Sequence, residues 1–572
     1  MKTFSCFVRV FACLLALTVC GQPASAQTDA DRHRLDDIAR EAAREFAATS
    51  PALDQTRPTA PAPPPGTQVE LTLDEATARA LERNLDIAVE RLNPQTFDLN
   101  IARIRAAYRP TAVSTIGQFS RVQPPTSTLN GGLRVENTTT TYNSGLQQLV
   151  PWGGGAVAFQ FNNNKQVTSN NLVNYNPAFN NNFALTLTQP LLRGLLIDNN
   201  RQQLVVTALN RDASEIQLRG TIATTLANVR NGYWELLYSI EALEVARGSL
   251  DLATKLVADN RARVEVGALA PLDVVQAQAE EATRRQALAQ AEAQSRTAEL
   301  SLKRLIVSGT DDPLWNVEIN PVDRPTFLPE PLDVQSAVRK ALDNRTDLQI
   351  ARKTIDSNDV TLRFMRNQTL PELDLTAMYG ASGLGGTQFQ RNGSGVTSQV
   401  IGIVPGGYAD AWHTLTGRSF PTWNLALNLS YPIGASAQDA QLARAKVQLN
   451  QSAAQLRALE LQVATDVTNA ALQVQSGLTR YQAAAVARDL AQQRLDAEQS
   501  RFEVGLSTNF LVVQAQRDLA TAQNTELRAL LDYRRALVDY ERLQETPAAR
   551  GGGITTINAA GGGGGAVPAQ GN

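Results

Sequence analysis

Glu265-Val266-Gly267 with Val274-Val275-Gln276-Ala277-Gln278, and again, 238 residues on, Glu503-Val504-Gly505 with Val512-Val513-Gln514-Ala515-Gln516, are the stretches whose reading decides the fold. The same offset carries Arg304-Leu305 onto Arg542-Leu543. Upstream, a second ungapped match at an offset of 261 lays Leu71, Ala76, Ala80-Leu81, Asp86 and Pro110 on Leu332, Ala337, Ala341-Leu342, Asp347 and Pro371. Low-complexity helices match one another by chance, but not with Pro and Gly in register. The chain is therefore an internal repeat.

Both repeats share one grammar. A helix runs to a Pro (Pro110, Pro371), and a strand-rich stretch follows, ending in Gln189-Pro190 or Tyr431-Pro432. A very long helix then meets a tight Val-Gly turn and a returning helix of roughly 35 residues. The boundaries that follow are 71–307 for the first repeat, with strands in 111–190, and 332–545 for the second, with strands in 372–432. Residues 308–331 read as a linker between repeats, and 27–70 as a polar linker ending in Ala60-Pro61-Ala62-Pro63-Pro64-Pro65. The Gly-rich segment 546–572 reads as a disordered tail.

The strand stretches alternate with a period of two. Leu425, Leu427, Leu429 and Tyr431 face one way, Ala426, Asn428 and Ser430 the other. Val157, Phe159 and Phe161 alternate with Ala158, Gln160 and Asn162, and Leu185 and Leu187 with Thr186 and Thr188. A soluble sandwich alternates in the same way. It gives no reason, however, for strands to lie between long helices. The helices keep heptad spacing, Leu442, Leu449, Leu456, Val463 and Ala470 in one, Ile222, Val229 and Leu236 in the other. From about 200 to 266 such a helix spans roughly 100 Å. That suits a tube better than a globular core.

The remaining features narrow the function by exclusion. Charge nearly balances at −2, so nucleic acid and other polyanions are not implied as partners. Lys2, Arg9, the apolar run Val10–Val19 and Ala24-Ser25-Ala26 read as a signal peptide over 1–26, whose removal takes Cys6, Cys13 and Cys20 and leaves no cysteine. Lipidation at Cys20 is the rival reading, with bulky Val19 before it counting against it. No later run of about 18 apolar residues follows, so membrane insertion would need a β-barrel. His33 and His413 are the only histidines and read as surface residues. Zinc motifs, a nucleophile elbow, a phosphate-binding loop and dinucleotide glycine spacing are missing, so neither enzyme chemistry nor a cofactor is expected.

Two spanning strands per repeat would give four per chain, too few for a barrel of at least about eight. Open edges in lipid leave backbone groups unpaired, so several chains would have to share one wall. Two alternatives remain in the sequence: a surface-anchored coiled-coil adhesin, whose barrel sits at one chain end, and a periplasmic adaptor, which would carry a lipoyl-like β domain.

The repeat, the Gln189-Pro190-Leu191-Leu192 junction and the Phe502-Glu503-Val504-Gly505 turn resemble the TolC-like outer-membrane efflux family over about 71–545. The resemblance implies a mixed α and β fold: a transmembrane β-barrel shared by a homotrimer, of about twelve strands, continuing into a long periplasmic α-helical barrel. It also implies an exit channel for a tripartite pump or type I secretion system, docked through a periplasmic adaptor to an inner-membrane pump. Val266, Gly267, Asp273, Phe502, Val504, Gly505 and Gln514 mark the expected docking or gating tip. Family members close the tip with carboxylates and an Asp–Tyr–Arg network. Here the matching positions read Phe502, Ser507, Leu511 and Gln514, and only Asp273 fits, so a different closing chemistry is expected. The first strand segment also carries an extra candidate hairpin at Pro151-Trp152-Gly153-Gly154-Gly155.

Overall fold

The computed structural model describes residues 68–124, 134–170, 172–267, 269–324, 332–392 and 399–545. The expected signal peptide, most of the first linker and the Gly-rich tail lie outside these residues. The described chain divides into two units: 85–219 with 348–460, and 68–84 with 220–347 and 461–545.

The first unit is built on one antiparallel sheet. Its strands are β2 (Thr111–Gln123), β3 (Val135–Leu149), β4 (Ala156–Thr168), β5 (Tyr175–Pro190), β7 (Glu372–Asn392), β8 (Gln399–Val404) and β9 (Phe420–Ser430). They run in the order β2-β3-β4-β5-β7, with β8 and β9 both on the far edge of β7. Two strands per repeat is therefore corrected. The first repeat supplies four, because Val150 to Gly155 closes a β3–β4 turn, with Val150 N–H donating to Gly155 O at 2.7 Å. Gln189 Nε2 holds that turn at Gly153 O, 2.6 Å away. In the second repeat, β8 takes β7 at 388–392 and β9 takes it at 372–382. The returning strand is thus interrupted, and the interruption holds a nine-residue helix, Tyr408–Thr416.

Flanking the sheet in sequence are α1 (Leu73–Arg83), α2 (Leu85–Ala106), α3 (Asn199–Glu265) and α4 (Pro271–Ile306) in the first repeat. In the second are α5 (Val334–Asn344), α6 (Thr346–Gln368), α7 (the Tyr408–Thr416 helix), α8 (Ala437–Glu503) and α9 (Asn509–Leu543). Helices α3 and α8 have 67 residues each, about 100 Å at the helical rise. Within the first unit Arg211 ties α3 to Asp98 at 2.9 Å, and Lys353 ties α6 to Asp212 at 3.0 Å. Among the described residues no helix is long and apolar enough to cross a membrane.

The second unit packs helix against helix around Val229, Tyr233, Leu236, Ala298, Leu302 and Ile306, with Leu71, Ala76 and Ala80. Val229 and Leu236 come from the heptad row read in the sequence, and both are buried. The capping box Thr72–Glu75 starts α1, each side chain bonding the other's backbone N–H, so the helix begins where the strand before it stops. That strand, β1 (Gln68–Leu71), pairs in parallel with β6 (Glu318–Pro321). Segments expected only as linkers thus meet as a two-stranded clamp. Tyr233 fastens it: its hydroxyl donates to Leu71 O and accepts from Asp323 N–H, each at 3.0 Å.

Candidate functional site: the strand belt and the helical turns

Register fixes the two faces of the sheet, since directly paired residues lie on the same side. Leu373, Leu375, Ala377 and Tyr379 of β7 stand opposite Leu429, Leu427, Leu425 and Trp423 of β9. Ala377, Tyr379 and Ala381 stand opposite Leu187, Leu185 and Phe183 of β5, and these opposite Val157, Phe159 and Phe161 of β4. One apolar band therefore crosses four strands. Leu425, Leu427 and Leu429 are 53, 61 and 69 % exposed, an apolar surface that needs a cover other than water. On β3 and β2 the same face continues as Leu146 and Ser144 against Ala112 and Ser114, and is more polar.

The opposite face is polar. It carries Thr186, Thr188, Gln160, Asp374, Thr376, Asn424 and Asn428. The Asn-rich stretch resolves into cross-strand amide pairs there, Asn162 Nδ2 donating to Asn182 Oδ1 at 3.1 Å and Asn180 Nδ2 to Asn164 Oδ1 at 3.0 Å. Amides on a sheet face pair across the ladder and still leave donors and acceptors for water. One face thus suits hydrocarbon and the other an aqueous passage.

In the second unit the two Val-Gly turns have the same conformation. Gly267 and Gly505 both stand at φ +78, the left-handed region that ends helices without a Cβ penalty. Space does not select glycine here, because a Cβ on either would meet no atom within 4 Å. The conformation selects it. Gly267 N–H donates to Val264 O at 3.0 Å, and Gly505 N–H to Phe502 O at 3.2 Å. Pro271 opens the returning α4, its missing N–H costing nothing at that position. Val266, Val504, Leu506 and Phe510 are 78, 70, 80 and 63 % exposed, so the turns present apolar side chains to solvent.

The structure sets the two turns side by side. Phe502 is buried with Leu256, Val512 and Val513, and the Arg263 guanidinium lies over its ring at 4.5 Å. Arg263 Nη1 also donates to Phe502 O at 3.1 Å. Asn260 Nδ2 donates to Asn509 Oδ1 at 2.9 Å with both residues buried, and Asn509 Nδ2 reaches Asp273 O at 3.3 Å. Asp273 thus joins this contact through its main chain. Gln514 turns to Asp518 on its own helix at 2.8 Å.

A carboxylate–guanidinium contact lies two to three turns further along α4. Buried Glu280 accepts from Arg284 on the same helix and from Arg517 on α9, the Arg517 Nε bond being 2.9 Å. Burial pushes the Glu280 carboxyl up, but Arg517 and Arg284 outweigh it and hold it below the usual carboxylate range. Sequence reading passed over Glu280, Arg517, Asn260, Asn509 and Arg263. The repeat held a signal: the 238-residue offset lays Glu280 on Asp518, an acid on an acid, and Asn509 on Pro271.

Among the described residues no cluster of three or more acidic, Cys or His side chains could hold a metal.

The family model for "Outer membrane efflux protein" matches residues 156–307 and 337–543. No curated protein matches the chain by sequence. Among solved structures it is similar to the Campylobacter jejuni CmeC outer membrane channel, at 14 % identity, TM-score 0.58, covering 83 % of this chain and 85 % of that one. The Vibrio cholerae outer membrane protein VceC aligns at 14 % identity and TM-score 0.57 over 83 % and 96 % of the two chains. The open state of the Neisseria gonorrhoeae MtrE outer membrane channel aligns at 18 % and 0.55 over 83 % and 89 %. At these identities the likeness speaks for the fold.

Proposed function

The chain belongs to the outer membrane efflux proteins, and from that premise we propose that it is one protomer of a homotrimeric exit duct docked to a periplasmic adaptor and an inner-membrane pump. It is an outer-membrane exit channel with a periplasmic helical extension. The observation that carries the assembly is the open sheet. Among the described residues β2 pairs on one side only, with β3, and β9 on one side only, with β7. In hydrocarbon each unpaired backbone group costs several kcal/mol, so these edges are completed by further copies. Joining β9 of one copy to β2 of the next closes three sheets into a wall of about eighteen strand columns, counting β8 and β9 as one.

The apolar band then meets lipid and the asparagine ladders line a water-filled lumen. Val266, Gly267, Val504 and Gly505 form the periplasmic mouth, where exposed Val266, Val504, Leu506 and Phe510 offer an adaptor an apolar surface. Glu280–Arg517, Asn260–Asn509 and Arg263–Phe502 hold the two hairpins of one chain together and take the place of an Asp–Tyr–Arg closure.

Orientation tests this reading. The turn between β4 and β5 contains Asn170 and lies at the strand ends opposite those that feed α3. In a chain beginning at Gln27, Asn170→Cys is expected to react with an impermeant maleimide on intact cells. Labelling only after lysis would reverse the topology and remove the exit-duct reading.

A further inference from the structure

The helix that interrupts the returning strand has a location that the channel reading leaves unused. Helix α7 lies on the apolar face of the sheet. Gly383 and Gly385 point to that face in register with Asn181 and Phe179. A Cβ on Gly383 would fall 2.1 Å from Ala411 O, and one on Gly385 would fall 2.4 Å from Ala411 N. Bare backbone at these two positions is what lets the helix lie directly on the strand. Ala411 and Leu415 are buried underneath, and Thr414 Oγ1 bonds Leu384 O at 3.2 Å.

The face changes character where the helix covers it. The apolar row runs through Phe159 and Phe161 of β4, and the next residue on that side is Asn163. On β5 Phe183 is followed by Asn181. Asn163 and Asn181 are 4 and 1 % exposed, and neither amide atom of Asn181 has a hydrogen-bond partner. Tyr408 Oη donates to Asn163 Oδ1 at 3.0 Å, and the Trp412 ring lies tilted against Phe161 with centroids 5.1 Å apart. Helix α7 therefore begins where the hydrocarbon-facing row ends. It shields amides from that side and keeps a Tyr and a Trp about 40 % exposed, at 42 and 39 %.

An aromatic with an apolar body and a polar tip settles where hydrocarbon gives way to headgroups, and barrels carry girdles of such rings at both rims. We propose that α7 is an interfacial helix, seated in the headgroup layer of the outer leaflet, that fixes the depth of the strand wall through Tyr408 and Trp412. The occupant of its outer face is lipid headgroup, by continuity with the apolar band below. This rests on the reading that the band itself meets lipid.

The test places an environment-sensitive fluorophore at His413→Cys, an exposed site on α7, and separately at Leu427→Cys, mid-band on β9. The protein is the full assembly, built from a chain beginning at Gln27 and reconstituted in phosphatidylcholine vesicles. Quenchers are a nitroxide on the headgroup, a nitroxide deep in the acyl chain, and aqueous iodide. At position 413 the headgroup nitroxide is expected to quench about twofold more than either of the others, while at 427 the acyl-chain nitroxide dominates. Iodide dominating at 413 with 427 deep would overturn the interfacial helix alone. So would protection of 413 from all three quenchers, which would place a second copy over α7. Iodide dominating at 427 would instead remove the lipid-facing band, and the channel reading with it.

Discussion

Glu280 of the first returning helix, only 3 % exposed, is gripped by Arg517 of the second returning helix. One acid and one base, 237 residues apart in sequence, therefore join the two hairpins near their turns. Glu280→Gln is expected to loosen that contact by about 1 kcal/mol, because charged hydrogen bonds are strong but Arg517 is half exposed and screened. The pH dependence follows from the depressed carboxyl. Its stabilisation is complete above the ordinary carboxylate range and is lost only as pH falls through the lowered value. Amide exchange over 255–285 and 500–520 should thus stay slow from neutral pH down to the usual carboxylate range in the natural protein. In Glu280→Gln it should be faster throughout that range, and the two should converge only once the natural carboxyl is protonated. Equal exchange in both would show that the pair does not hold the tip.

The Asn260–Asn509 amide pair is buried on both sides. Asn509→Ala strands the Asn260 amide and frees the Asp273 carbonyl, at a cost of about 1–3 kcal/mol. Limited proteolysis should then cut within the Val266–Pro271 turn at concentrations that spare the natural protein. Unchanged cleavage would mean that the amide pair does not hold the two turns together.

Gly505 is selected by its conformation alone. Gly505→Val forces a β-branched side chain to φ +78 and costs about 1–2 kcal/mol. Gly505→Asn is expected to be tolerated, since Asn visits the left-handed region. The Val variant should keep normal trimer levels and lose export and adaptor cross-linking, with the Asn variant retaining both. Export surviving with valine at both Gly267 and Gly505 would place docking elsewhere.

Tyr233 offers a test of the clamp. Tyr233→Phe removes the donor to Leu71 O and the acceptor for Asp323 N–H, and about 1–3 kcal/mol of stability is expected to go with them. The loss should appear as faster amide exchange in 68–73 and 318–323. A melting curve and exchange pattern identical to the natural protein would show the clamp to rest on β1–β6 pairing alone.

Periodic features were legible in the sequence. Leucines at alternate positions of 425–429 announce one sheet face, heptads announce α3 and α8, and the paired Val-Gly turns announce two glycines at one φ. Features without a period were not. Strand β3 is rich in Thr, Asn and Gln and has no apolar row, so its pairing with β2 and β4 did not show. Strands β1 and β6 are four residues each and gain meaning only from a partner some 250 positions away. The same distance hid Asn260–Asn509 and Glu280–Arg517, since a polar residue on a helix shows its partner only once the helices are packed. Helix α7 is nine residues inside the strand-bearing segment 372–432, in a part where no alternation points to strand or helix, and only the glycine cradle beneath it explains why it fits.

Edges β2 and β9 decide the account, because an open sheet cannot stand alone in hydrocarbon. Native mass spectrometry of the protein extracted from outer membranes into mild detergent reads the number of copies directly. A dominant species of three protomers is the result expected from edges completed between copies. A folded, dominant monomer would contradict the shared wall and, with it, the duct built on that wall.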